Sequence, residues 1–185
     1  DHEMDLPQPR LGHGSVSHGA QQGAWLFTLS DYADAELMAR CPSDQSVHFD
    51  TPEPLSGRLR RVSYGTNYFV SGLLPNYRRY LNLDAIPRPV HTNYPFELAE
   101  EGEFAAADHA HPEDLTIYAT NVELLRREAS VMMAHDRHEG AANWGFLDGH
   151  AEGLTVERTL RLDPASTIFN LIWIHNVHNP EVALR

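Results

Sequence analysis

The sequence predicts an α+β domain with a small antiparallel sheet, a leading helix and long loops. Three observations carry that expectation: apolar residues at helical spacing between Ala24 and Arg40, β-prone stretches that include an Asp148-Gly149 turn, and proline-rich connections between them. A length of 185 residues with 42% apolar composition suffices for one packed core. Residues 1–23 hold Pro7, Pro9 and glycines at 12, 14, 19 and 23, and read as an extended arm ahead of a single domain over 24–185.

Each element follows from its local pattern. Trp25, Leu26, Leu29, Ala33, Leu37 and Met38 recur at helical spacing and Pro42 stops the run, which places the leading helix at 24–40. Three prolines make 42–58 a connecting loop, and the alternating Val, Tyr and Phe of Arg61–Leu73 read as one strand or two short ones. Gly65 within it marks a bulge or a close backbone approach. Residues 75–115, with Pro75, Pro87, Pro89, Pro95 and Pro112, read as a long decorated insertion, whose acidic run Glu97–Glu103 is expected to be a solvated loop. Asn121 is placed to cap a helix from Val122 to about Ala129.

Ala142–Leu147 and His150–Val156 form the clearest local signal, a hairpin joined by Asp148-Gly149. A two-residue turn sets Leu147 opposite His150, Phe146 opposite Ala151 and Trp144 opposite Gly153, with Gly149 at positive φ. Thr167–Val177 reads as a last strand, apolar on both faces, that needs cover from a sheet or a neighbour.

Charge and composition exclude several functions. Arginine supplies all 14 basic residues against 26 acidic ones, and a net charge of -12 repels a nucleic-acid backbone. Without lysine there is no Schiff base, phosphate-loop lysine or lysine general base. Cys41 is the sole cysteine, which excludes an internal disulfide and multi-thiolate zinc sites. The 12 histidines make the net charge fall steeply in magnitude between about pH 7 and about pH 5. No apolar run of about 18 residues spans a bilayer, and no signal-peptide pattern is present. Beginning at Asp1 rather than Met, the chain reads as a processed product or an excised domain.

The candidate chemistry lies in three histidine clusters: Asp108-His109-Ala110-His111, His135-Asp136-Arg137-His138 and Asp148-Gly149-His150. On a strand, His109 and His111 share a side and can hold one divalent ion with Asp108 or Glu113. The metal candidates are therefore Asp108, His109, His111, His138, Asp148 and His150, with calcium or zinc as the ion, although so many histidines also produce such pairs without a metal role. A nucleophile is disfavoured: no serine sits in a Gly-x-Ser-x-Gly elbow, and Pro42 follows Cys41 directly. Arg60-Arg61 and Arg78-Arg79 can hold an anion, and fit ion pairing with the acidic excess better.

His138, nine intervening residues and then Asp148-Gly149 resemble the signature of the bacterial prepilin-type processing-associated domain named for that His-x9-Asp-Gly spacing. Cys41-Pro42-Ser43-Asp44 resembles that family's Cys-Pro-Ser-Asp element, and Ser63-Tyr64-Gly65-Thr66-Asn67-Tyr68 its Ser-Tyr-Gly-x-Asn-Tyr strand. Asn143 to His150 is similar to its final hairpin. The resemblance implies a head domain like that of the type II secretion pseudopilins, without their long apolar N-terminal helix. A cysteine often precedes the head in that family, and its absence here accounts for an unpartnered Cys41.

The resemblance therefore implies an exported, non-enzymatic structural subunit of the cell envelope or cell surface. It would require no cofactor and would assemble with itself or with other pilin-like subunits. The alternatives are a metal-dependent hydrolase built from the histidine clusters and a divalent-cation or glycan-binding envelope module. His138 is expected to be structural, bonded to backbone or to Asp148, so that His138→Ala costs about 1 to 3 kcal/mol. One or both chain ends are expected to pack against a neighbouring subunit.

Overall fold

A computed structural model of the chain describes residues 6, 7, 9, 11, 25–34, 38–71, 80, 82–118, 120–162, 174–181 and 183. A five-stranded sheet is formed by β1 (Tyr64–Asn67), β2 (Asn93–Glu97), β3 (His109–Ala110), β4 (Ala142–Phe146) and β5 (Ala151–Leu154), in the order β3-β1-β2-β4-β5. β1 runs parallel to β3 and every other neighbour is antiparallel, so the sheet is mixed where the sequence suggested an antiparallel one. A two-stranded antiparallel sheet pairs β6 (Leu160–Leu162) with β7 (Ile174–Asn176). The expected last strand thus survives as β7, while 167–173 lie outside the described residues.

The leading helix is not continuous. Trp25–Leu29 is a 3-10 helix, and the N–H groups of Tyr32 and Ala33 both return to the Leu29 carbonyl, at 2.9 and 3.1 Å, so the chain turns there. Tertiary bonds hold that start in place: the Trp25 N–H donates to Asp108 Oδ2 at 3.0 Å and its indole Nε1–H to the Tyr64 carbonyl at 3.0 Å. The expected strand over Arg61–Leu73 is likewise shorter. Asn67 Oδ1 accepts the Phe69 N–H at 3.1 Å, an Asx turn that ends β1 and opens a single helical turn, Tyr68–Ser71.

The decorated insertion hides a strand at the sheet's centre. β2 carries Pro95, which cannot donate to the ladder, and the pairing of β2 with β4 shifts between Asn93 and Phe96 to accommodate it. Helix α1 (Val122–Met132) is capped as expected, with Asn121 accepting the Leu124 N–H at 3.0 Å, and runs one turn further than the sequence suggested.

The hairpin is present with a different register. Gly145 faces Ala151, Trp144 faces Glu152 and Asn143 faces Gly153. Its connection is a three-residue loop in which the Gly149 N–H donates to the Phe146 carbonyl at 2.9 Å and Phe146 N–H to the His150 carbonyl at 2.8 Å. Gly149 has the expected positive φ, 93°, but Asp148 does not share it, so the turn is a bulged one and not the two-residue type. The tight two-residue turn occurs just upstream. Glu139 (φ 56°) and Gly140 (φ 88°) join His138 to Ala141, which exchange backbone bonds of 2.9 and 3.2 Å.

The main core packs Phe96, Leu98, Trp144 and Phe146 against Leu125 and Ala129 of α1, with Leu160 and Val177 adding the small sheet. A second cluster joins Leu11 to Trp25, Leu26, Ala39 and Val62, so this point of the N-terminal arm lies against the body of its own chain. Two glycines mark close approaches. A Cβ at Gly65 would lie 2.6 Å from Leu98 Cδ2, the approach expected there, and one at Gly145 would lie 2.6 Å from Pro95 Cγ.

Candidate functional site

The motif pieces, far apart in sequence, converge on the buried side chain of Glu97 at the end of β2. Glu97 Oε2 accepts the Asn143 N–H at 3.0 Å, and Oε1 lies 2.9 Å from His138 Nε2 and 3.5 Å from Arg137 Nη1. Cys41 Sγ stands 3.8 Å from the same Nε2. Three segments are thereby gathered: the turn entering the Cys41-Asp44 element, the central strand, and the His138–Ala141 turn. The ring of His138 thus bonds to Glu97 and Cys41 in place of the expected backbone group or Asp148.

Around this cluster the charges are paired. Arg60, whose side chain is fully buried, gives Nε and Nη2 to Asp44 Oδ2 at 3.0 and 2.6 Å and donates to the carbonyls of Leu98, Ala99 and Ala105. It is therefore an ion-pairing and backbone-holding residue, as its acidic surroundings suggested, and not an anion site. Burial pushes the Asp44 carboxyl up, but Arg60, the Ser63 hydroxyl, the Ser46 N–H and Arg137 outweigh it and hold the group below the usual carboxylate range. Arg137 reaches Asp44 Oδ2 at 3.5 Å, Glu100 Oε1 at 3.1 Å and the Leu98 carbonyl at 2.7 Å, linking the Asp44 pair to Glu97.

The other motif residues bond to backbone or to each other. The Cys41 N–H donates to Ser63 Oγ at 2.8 Å, and Cys41 itself is buried. Asn67 Nδ2 donates to the carbonyls of Asn93 and His178 at 3.0 and 2.6 Å, tying β1 to β2 and to the C-terminal segment. Burial, with the Cys41 sulfur and Glu97 beside it, pushes the Tyr64 phenol up to about 12. Pro42, Ser43 and the side chain of Asn143 are exposed, so Asn143 contributes through its backbone.

His109 and His111 do share a side. Their Nε2 atoms lie 3.1 Å apart, but Asp108 Oδ1 and Glu113 Oε1 sit on the opposite ring nitrogens, at 3.1 and 2.6 Å, and so orient the rings instead of completing a shell around one ion. The two oxygens of Asp108 also accept the N–H groups of Leu11 and Trp25, each at 3.0 Å. At the hairpin tip His150 bonds Asp148 through Nδ1 and stacks on Phe146 with ring centroids 4.3 Å apart. Asp148 and His150 therefore form a local surface pair, separate from the bonds of His138.

No family model, curated protein or solved structure matches this chain.

Among the described residues, the group of metal-ligand type is Cys41, Glu97 and His138, with one donor atom from each lying within 4.8 Å of the others. Of these, His138 alone stood among the metal candidates read from sequence. Glu97 is hidden in an acidic run, although its position in the apolar stretch Tyr94–Leu98 is a signal for an inward-pointing side chain. Arg137 lies within the histidine cluster at 135–138, where no local pattern marks it as a link between carboxylates. A cleft of about 730 Å³ is lined by Glu100, Glu101, His135, Asp136, Arg137 and Glu157, among others, and not by the three cluster residues. A groove of about 420 Å³ reaches Pro42 and Tyr64 at the cluster's edge. No described helix is long and apolar enough to cross a membrane.

Proposed function

We propose that the chain is the head domain of a pilin- or pseudopilin-like structural subunit, exported to the cell envelope or surface, and that it is not an enzyme. One observation carries this reading: Asp44, Asn67 and His138 of the resemblance are engaged by buried side chains and by backbone, and so serve to close the fold. Asp44 is engaged by Arg60, Asn67 by two carbonyls, and His138 by Glu97. This role calls for no cofactor. A bound divalent cation would cross-link the fold, and the partners would be further copies of the chain or other pilin-like subunits.

The hydrolase alternative fits the geometry less well. Its histidine clusters do not gather around one ion: Asp108 and Glu113 occupy the outer ring nitrogens of His109 and His111, and His150 pairs with Asp148 away from His138. A cysteine nucleophile fits no better, because Cys41 and Glu97 both face Nε2 of His138. Cys41 is also only 2% exposed. The test combines light scattering and negative-stain microscopy of the full chain over a range of concentrations with ester, phosphoester and peptide hydrolysis assays. Concentration-dependent assembly without turnover is expected. A strictly monomeric chain with metal-dependent turnover that is lost in His138→Ala would overturn the proposal.

A further inference from the structure

We infer that Cys41, Glu97 and His138 bind one divalent ion of the zinc class, at a site that does not depend on the pilin-like reading. The separations suit it. Ligands at zinc's usual bond lengths of about 2.0 to 2.3 Å, spread tetrahedrally, stand roughly 3.3 to 3.6 Å apart. Sγ to Nε2 is 3.8 Å and Nε2 to Oε1 is 2.9 Å, so small side-chain movements admit an ion between them. A thiolate, an imidazole and a carboxylate together favour zinc, whereas calcium prefers oxygen donors alone.

The surroundings supply what a metal site needs beyond its ligands. Cys41 and Glu97 are buried, while the side chain of His138 is 30% exposed, which gives an ion a way in and leaves a fourth position for water. The Asn143 N–H holds the second oxygen of Glu97 at 3.0 Å and so fixes the carboxylate's orientation. Loading releases the Sγ proton and shifts the imidazole to its Nδ1–H tautomer. The ion's two positive charges then meet one thiolate and one carboxylate, while Arg137, whose Nη1 stands 3.5 Å from Glu97 Oε1, remains held by Asp44 and Glu100. The ligands come from three segments separated by long stretches of chain, so the ion would cross-link the start of the motif region to its end.

The experiment is a titration of the chelator-treated full chain with Co(II), then Zn(II). One equivalent of Co(II) is expected to raise a thiolate-to-cobalt charge-transfer band that Zn(II) abolishes, and Zn(II) is expected to raise the melting temperature. Cys41→Ser should remove the band and weaken affinity at least ~100-fold, more than the loss of an outer partner does. His138→Gln, at a partly exposed position, should keep the far-ultraviolet circular dichroism of the parent and weaken affinity by a similar factor. The His109→Gln/His111→Gln double variant should bind as the parent does. Absence of the band at one equivalent, or affinity unchanged in Cys41→Ser, would overturn the site.

Discussion

Arg60 shows how one residue of this chain can be decisive without touching any ligand. Its guanidinium lies beside the Asp44 carboxylate and three backbone carbonyls, all away from water. A buried ion pair gains little over apolar packing, but removing one partner strands the other. Arg60→Met therefore leaves Asp44 with Arg137 at 3.5 Å as its remaining cation and deprives three carbonyls of their donor. The expected cost is about 3 to 5 kcal/mol, measured as the loss of unfolding free energy in urea. A loss below about 1 kcal/mol would mean that water replaces the guanidinium. His138→Ala should keep its smaller expected cost of about 1 to 3 kcal/mol, since Glu97 Oε1 loses its imidazole partner while Oε2 keeps the Asn143 N–H.

At the scale of elements, the turns decide what could be foreseen. Asp-Gly signals a hairpin in two geometries, a two-residue turn with both φ values positive and a longer loop ending in one left-handed glycine. The sequence cannot choose between them, so the hairpin was legible while its register, off by one residue, was not. β2 was illegible because Pro95 contradicts a central strand, and what permits it is a neighbour far along the chain. Gly145 lacks the Cβ that would strike the proline ring at 2.6 Å. Gly145→Ala should cost about 1 to 3 kcal/mol by overpacking, and Pro95→Ala should recover part of that loss in the double variant. Additive costs in this cycle would show that the two positions do not interact. The turn that positions His138 holds Glu139, exposed and at φ 56°, where asparagine is better tolerated. Glu139→Asn creates the preferred Asn-Gly pair and should raise stability by roughly 0.5 to 1 kcal/mol, seen as a higher urea midpoint.

Across the whole molecule, the candidate site was half legible. Cys41, Asp44, Asn67 and His138 stood out through their motif, whereas Glu97 and Arg137 act through long-range burial that no local pattern encodes. The same burial makes two histidines a source of acid sensitivity. His135 and His178 flank Trp144, with ring centroids 5.6 and 5.2 Å from it. Burial lowers His135 to about 4, and burial with His135 nearby lowers His178 to about 3. Their unfolded values lie near 6.5. Above that pH both states hold them neutral, and the full stability is present. Below it the unfolded chain takes up protons that the folded chain refuses, so stability falls as pH drops from about 6.5 toward the folded values, by about 1.4 kcal/mol per pH unit for each histidine. The net charge of -12 shrinks in magnitude as the chain takes up protons, which relieves some repulsion, but that effect is screened over about 8 to 10 Å and is the weaker one. Urea unfolding at pH 7, 6 and 5 should show a steadily falling midpoint, with His135→Gln reducing the slope by roughly half. A midpoint that stays level or rises as the solution is acidified would place both rings in contact with water.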